Sequence, residues 1–313
     1  MTLPASITSR LKLPLICAPM FRVSGPDLVI AACRAGVIGA FPTANCRSTA
    51  ELDDWLVRIE AALGPDDAPF CPNLIVRHEA LAEQLAVLLR HRVELVITSV
   101  GSPAAVVGPL HGIGCKVLAD VASLRHAHKA VEAGVDGLVL LSAGAGGQTG
   151  WVNGFAFVRA VRAFYDGPIV LAGGMSDGHA LWAAKALDCD LAYMGTRFIA
   201  ADESLAAPAY KRMLVASEFD DVLLSDAFTG LPANMLEASV RAAGLDPKAL
   251  PEGLGAEGAA RLFGASGSEA QRWKDIWSAG HSVSGVRALG SVAEIVAATR
   301  AEYLAARAAS CAD

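Results

Sequence analysis

Eight short apolar runs rich in β-branched residues recur between residues 13 and 195, and helix-like stretches separate them. The runs occupy 13–18, 37–41, 70–76, 94–100, 115–120, 136–142, 168–174 and 190–195. They read as unbroken apolar segments rather than as alternating ones, which is the pattern of strands buried on both faces. The intervening stretches, such as SLRHAHKAVEAG (123–134) and HALWAAKALD (179–188), carry apolar residues at three- and four-residue spacing. Strands that alternate with helices imply βαβ units and a parallel sheet.

Eight such units predict a (β/α)8 barrel of the TIM type. An open doubly wound sheet is the alternative, because strand count alone does not close a barrel. The positions of the unusual residues favour closure. Ala18-Pro19-Met20, Asn73, the SVGS of 99–102, SAGAGGQTG (142–150), AGG (172–174) and MGTRF (194–198) all fall at the C-terminal ends of the runs. In a barrel those ends form one face and build one site. After the eighth run the pattern changes. Residues 219–285 are rich in Gly, Pro, Ser and Asp, with short helical pieces in LPANMLEASVRAAG (231–244) and SEAQRWKDIW (268–277). The expected division is a barrel body over 1–218, an inserted and mainly helical cover segment over 219–285, and a C-terminal stretch over 286–313 whose helix, at 291–308, closes the barrel.

A chain of 313 residues that is 53% hydrophobic and 19% charged can bury the core such a barrel needs. No apolar run reaches the roughly 18 residues that span a bilayer. The first residues, MTLPASITSRLKLPLICAPM, break their apolar stretch with prolines and make a poor signal peptide. No membrane partner and a cytoplasmic location are therefore expected. The net charge of −6 and the lack of a basic cluster argue against nucleic acid. Seven cysteines without a C-x-x-C pair suggest neither a disulfide framework nor a zinc site, and His126 and His128, two apart, do not share a helix face. No metal is expected.

The glycine loop after the sixth run invites comparison with nucleotide-binding loops. No lysine follows its glycines, so it is not a Walker loop. Thr149 stands where a dinucleotide fingerprint needs glycine or alanine. A barrel phosphate site after strands seven and eight fits better. There Gly173 and Gly174 precede the helix over 177–187, and Gly195 and Thr196 add amides and a hydroxyl. The alternative is that these glycines only make tight turns. A phosphate beside strands seven and eight suggests flavin mononucleotide (FMN), its ring across the barrel mouth.

At this point the chain resembles the nitronate monooxygenases, formerly called 2-nitropropane dioxygenases. The resemblance is carried by LPLICAPM, PNLIV, ELVITSVGSP, SLRHAHKAVEAGVDGLVL, AGAGGQTG, GPIVLAGGMSDG, DLAYMGTRFIA and AFTGLPANML, in this order. It implies a TIM barrel with non-covalent FMN, in a family that also holds flavin-dependent enoyl-thioester and quinone reductases. It further implies that Ala18, Pro19 and Met20 contact the flavin ring, that Asn73 hydrogen-bonds it, that Gly147 touches it, and that Gly173, Gly174, Gly195 and Thr196 hold its phosphate. Two departures stand out. The family's loop usually reads A-G-G-H-x-G, with a catalytic histidine where this chain has Gln148. Glutamine donates and accepts hydrogen bonds but does not titrate near neutrality, so this residue takes no proton from a neutral nitroalkane. It can still steady an anionic nitronate or a carbonyl through its amide. Some relatives place a lysine where Asp120 stands. Asp120 would either oppose negative charge on reduced flavin or cap the helix over 123–133 and structure its turn.

The segments around 228–250 and 274–286 look closest to a branch that acts on coenzyme A thioesters. Arg77 and His78 are candidates to meet an anionic substrate, and Trp151 to wall the pocket. Trp273 and Trp277 are expected in a satellite core on a short helix, and His179 on a helix surface; His281 falls in the cover segment. The expected activity is FMN-dependent oxidation of an anionic alkyl nitronate with dioxygen as the second substrate. The alternatives are NAD(P)H-dependent reduction of an enoyl thioester or quinone, and a catalytically silent flavin-binding module. A homodimer is the expected assembly.

Overall fold

Each of the eight apolar runs forms one strand of a closed parallel barrel. The computed structural model describes residues 3–263, 271–272 and 274–310. In chain order the strands are β1 (Leu15–Cys17), β2 (Ile38–Pro42), β3 (Phe70–Ile75), β4 (Leu95–Ser99), β5 (Lys116–Val121), β6 (Gly137–Leu141), β7 (Gly147–Gln148), β8 (Ile169–Ala172) and β9 (Leu191–Met194). All but β7 belong to the barrel, each beside the next, and β9 returns to pair with β1.

The barrel interior is apolar at its base. Ile16, Ile38, Ile97, Leu118, Val139 and Val170 meet there, and Leu3 and Ile7 of the N-terminal segment join the same cluster. A second shell of Leu, Val and Phe fills the space between strands and surrounding helices. This double burial is why the strands read as continuous apolar runs rather than alternating ones. Side-chain caps start several helices: Ser48, Ser123, Asn153 and Asp177 each accept a first-turn amide.

The helix Val292–Ser310 packs against Gly178–Ala186 and Pro26–Ala35 and completes the outer ring. Gly178 makes this contact possible, because a Cβ there would lie 2.1 Å from the Tyr303 nitrogen and 2.3 Å from the Thr299 oxygen. Its N–H donates to the Glu302 carboxylate at 2.9 Å. Gly178→Ala must push the two helices apart, and we expect a loss of about 1–3 kcal/mol by chemical denaturation. A variant as stable as the parent would show that the helices yield freely.

The segment after β9 holds more than helix. Strands β10 (Val222–Ser225) and β11 (Ala233–Leu236) pair antiparallel, and β11 pairs with β7. The first half of 231–244, expected to be helical, is therefore a buried strand, and helix begins only at Glu237. The edge of β7 offers unpaired backbone groups, and satisfying them outweighs local helical preference. In the stretch 268–277, residues 268–270 and Trp273 lie outside the described residues. The others are not helical, and Arg272 bridges to Ile276. Among the described residues no helix is long and apolar enough to cross a membrane.

Candidate active site

The site follows from strand alternation. Side chains two residues apart on a strand share a face. Starting from the interior residues Cys71, Ile97, Leu118 and Leu191, the next inward positions are Asn73, Ser99, Asp120 and Tyr193. All four line one cavity at the C-terminal end of the barrel, where Ala18, Pro42, Leu141 and Ala172 complete the ring. The apolar core thus stops one layer below the mouth and polar groups take over. The cavity measures about 390 Å³, within the range of small-molecule sites.

The glycine loop after β6 forms one wall. Ser142 Oγ donates to the Ala172 carbonyl at 2.5 Å, and Thr149 Oγ1 donates to the Ser142 carbonyl at 2.9 Å. Asn234 Nδ2 of β11 holds the Ala145 carbonyl at 2.7 Å. A Cβ at Gly150 would sit 2.2 Å from the Leu141 oxygen, so this glycine lets the loop fold back on its own strand. The loop is therefore a tightly packed mount rather than a phosphate cradle. It presents Gln148 to the cavity through the β7–β11 pairing, in which Gln148 stands opposite Ala233. Among the described residues the Gln148 side chain has no hydrogen-bond partner. His281 packs on this loop, its N–H donating to the Gly144 carbonyl at 2.9 Å.

The adjoining wall comes from the turns after β8 and β9, since β6 pairs directly with β8. Gly173, Gly174, Gly195 and Thr196 all border the cavity. Gly173 and Gly174 take φ of +106° and +72°, the left-handed region that glycine tolerates. The N–H groups of Gly173, Gly174 and Gly195 have no acceptor among the described residues. In the first turn of the helix behind them, the Gly178 N–H donates to Glu302 and the Ala180 N–H to Asp177, while the His179 N–H has no acceptor among the described residues. Free donors thus stand in the turns and, at His179, at the helix start. Thr196 Oγ1 accepts the Gly280 N–H at 2.9 Å and clamps the cover segment to the barrel.

On the floor, Asn73 Oδ1 accepts the Ser99 hydroxyl at 3.2 Å. Asp120 is different, for its Oδ1 is buried without a hydrogen-bond partner. Burial pushes its pKa up to about 7. It does not cap the following helix; Ser123 does, accepting the His126 N–H at 3.2 Å. Burial, with the Asp120 charge nearby, also holds the Tyr193 hydroxyl well above its ordinary range.

Ala18, Pro19, Met20 and Gly147 line the same cavity as Gln148. Arg77 and His78 do not border it; Arg77 is exposed, and His78 Nδ1 accepts the Ala80 N–H at 3.1 Å. Trp151 points away and is 81% exposed. His179 is exposed on its helix. The roof of the cavity holds residues that sequence reasoning did not select as cavity-lining. Tyr210 stacks on Trp277, ring centres 5.0 Å apart, and its hydroxyl donates to the Ser278 carbonyl. Arg272 lines the cavity and donates to the Phe228 carbonyl at 2.8 Å. Burial lowers its pKa, and no acid among the described residues pairs with it. Alternation along the runs could have found Ser99, Asp120 and Tyr193; nothing periodic marks Arg272.

A family model described as nitronate monooxygenase matches residues 75–300. A nitronate monooxygenase of Paraburkholderia phytofirmans is 27% identical over 75% of this chain and 76% of its own length. A (3aS,4S,5R,7aS)-5-hydroxy-7a-methyl-1-oxo-octahydro-1H-indene-4-carboxyl-CoA dehydrogenase of Rhodococcus jostii is also 27% identical, over 72% of this chain. The match spans 63% of that relative's length, less than two thirds. Among solved structures, a nitroalkane oxidase from Streptomyces ansochromogenes superposes with a TM-score of 0.80 at 26% identity, covering 97% of this chain and 99% of that one.

Proposed function

The chain belongs to the nitronate monooxygenase family, and on that premise we propose that this flavin-dependent oxidoreductase binds FMN in its cavity and oxidises alkyl nitronates with dioxygen. The residues present fit FMN. The unpaired turn amides of Gly173, Gly174 and Gly195 match a phosphate dianion. A Cβ at Gly174 would meet no protein atom within 4 Å, so this turn, which borders the cavity, faces open space at its rim. Ala18, Met20 and Asn73 stand where a ring lying across the mouth would touch them. When bound, the flavin supplies the redox chemistry.

The observation that carries the substrate class is Arg272. A partly buried guanidinium without an acid partner among the described residues favours an anion beside it. Gln148, on the wall of the same cavity, offers an uncommitted amide N–H2 to a nitronate oxygen. Tyr210 and Trp277 close the roof and limit water. With glutamine in the loop, the substrate best suited to this wall arrives already ionised.

A second reading rests on the relative named for a carboxyl-CoA substrate: Arg272 would then meet a coenzyme A or NAD(P)H phosphate, in an NAD(P)H-dependent reduction of an enoyl thioester or quinone for which bound flavin would supply the redox chemistry. Anaerobic mixing with nitronates, NADH and NADPH separates these readings. Flavin absorbance should bleach with nitronates and return when oxygen is admitted. Bleaching by NAD(P)H alone would favour the reductase, and bleaching by none of them a binding module. Denaturation should release FMN; recovering FAD would overturn the cofactor assignment.

A further inference from the structure

Asp120 takes no part in the turnover proposed above, yet the strand turns its carboxyl onto the cavity floor, two residues beyond the core residue Leu118. Ser99 of β4 gives its hydroxyl to Asn73, not to Asp120. Leu141 of β6 is apolar. The titratable groups near enough to feel the Asp120 charge are Cys71 of β3 and Tyr193 of β9, and burial keeps both protonated. Burial raises the Asp120 pKa, and no neighbouring cation among the described residues offsets its charge. An ionised carboxylate so placed is disfavoured, whereas a carboxylic acid needs an acceptor for its O–H. Its Oδ1 finds no partner among the described residues, which leaves it to be met by water or by a ligand that enters the cavity.

We propose that Asp120 carries a proton when flavin is bound and donates it as a hydrogen bond to an acceptor on the edge of the flavin ring, so that flavin binding takes up a proton from solution. This rests on the FMN reading. An arriving ring displaces the cavity water that helps solvate the carboxylate, and the edge of an isoalloxazine carries carbonyl oxygens and ring nitrogens that accept. The proton comes from solvent and resides on Asp120; no covalent bond of the cofactor changes.

The experiment mixes flavin-free protein with FMN in weakly buffered solution at about pH 8 and reads a pH indicator. The FMN phosphate, with its second pKa near 6, is then fully dianionic and contributes no protons. The expected uptake approaches one proton per FMN bound. FMN affinity should also fall as pH rises above about 7, by up to tenfold per unit. Asp120→Asn should abolish both effects. That variant should also be more thermostable than the parent near pH 8 and no different near pH 3.5. The unfolded carboxyl ionises near 3.9, but the folded one keeps its proton to about 7, so only the parent loses stability as pH rises through that window. FMN binding by the parent without proton uptake and with flat affinity overturns the proposal, as does equal uptake in Asp120→Asn. A parent that binds no flavin overturns the FMN reading as well.

Discussion

Replacing Gln148 with alanine should slow the reaction of a pre-ionised nitronate by about tenfold to a thousandfold, the range for losing one donor that serves a transition state. The fold gives this variant a clean reading. Gln148 is held by backbone pairing to Ala233, and alanine can keep that pairing, so stability should change little. The lost amide has no other described partner to disturb. Gln148→His supplies the complementary result. An imidazole there should introduce a pH dependence near its ordinary range, about 6–7, where the parent shows none from this position. Steady-state rates with nitronate across pH test both. If Gln148→Ala leaves every reaction of the enzyme unchanged, the residue is only part of the loop, and the anion would have to be steadied by Arg272 alone.

The barrel was legible because its strands are buried on both faces. Runs such as 115–120 and 190–195 carry that burial openly, and each became a strand of the ring. The cover segment was less so, since β7 is two residues long and its partner β11 lies far along the chain. Local preference reads LPANMLEASV as helix; the exposed edge of β7 decides otherwise for Ala233–Leu236. The site was readable where residues follow a strand end and less readable elsewhere. Gln148, Asn73 and the paired glycines all face the cavity. The sequence marks Asp120 and allows it two roles, and counting alternate positions from Leu118 settles its direction. Trp151 stood next to the glycine loop, yet the chain turns there and leaves it outside. Arg272 sits in irregular chain where no period exists to be read, and only the fold of the cover brings it to the mouth.

Gly174→Val should weaken FMN binding by tenfold or more, about 1.4 kcal/mol at the least. Two effects combine, and experiment can separate them. At φ +72° a β-branched residue is strained, which destabilises the fold by about 1–2 kcal/mol whether or not ligand is present. A Cβ at this position meets no protein atom within 4 Å, and Gly174 borders the cavity, so the added side chain projects into open space beside unpaired amides and should crowd a phosphate bound there. Denaturation of the flavin-free variant measures the first effect and fluorescence titration with FMN the second. Riboflavin, which lacks the phosphate, supplies the discriminating control. If the turn holds the phosphate, riboflavin should bind parent and variant alike while FMN loses its advantage over riboflavin. Gly195→Ala provides a milder probe of the same wall, since the nearest neighbours of its Cβ would be Ala18 and Met20 at an ordinary 3.5 Å. A folded Gly174→Val that binds FMN as tightly as the parent would place the phosphate elsewhere in the cavity, and the unpaired amides of these turns would need another occupant.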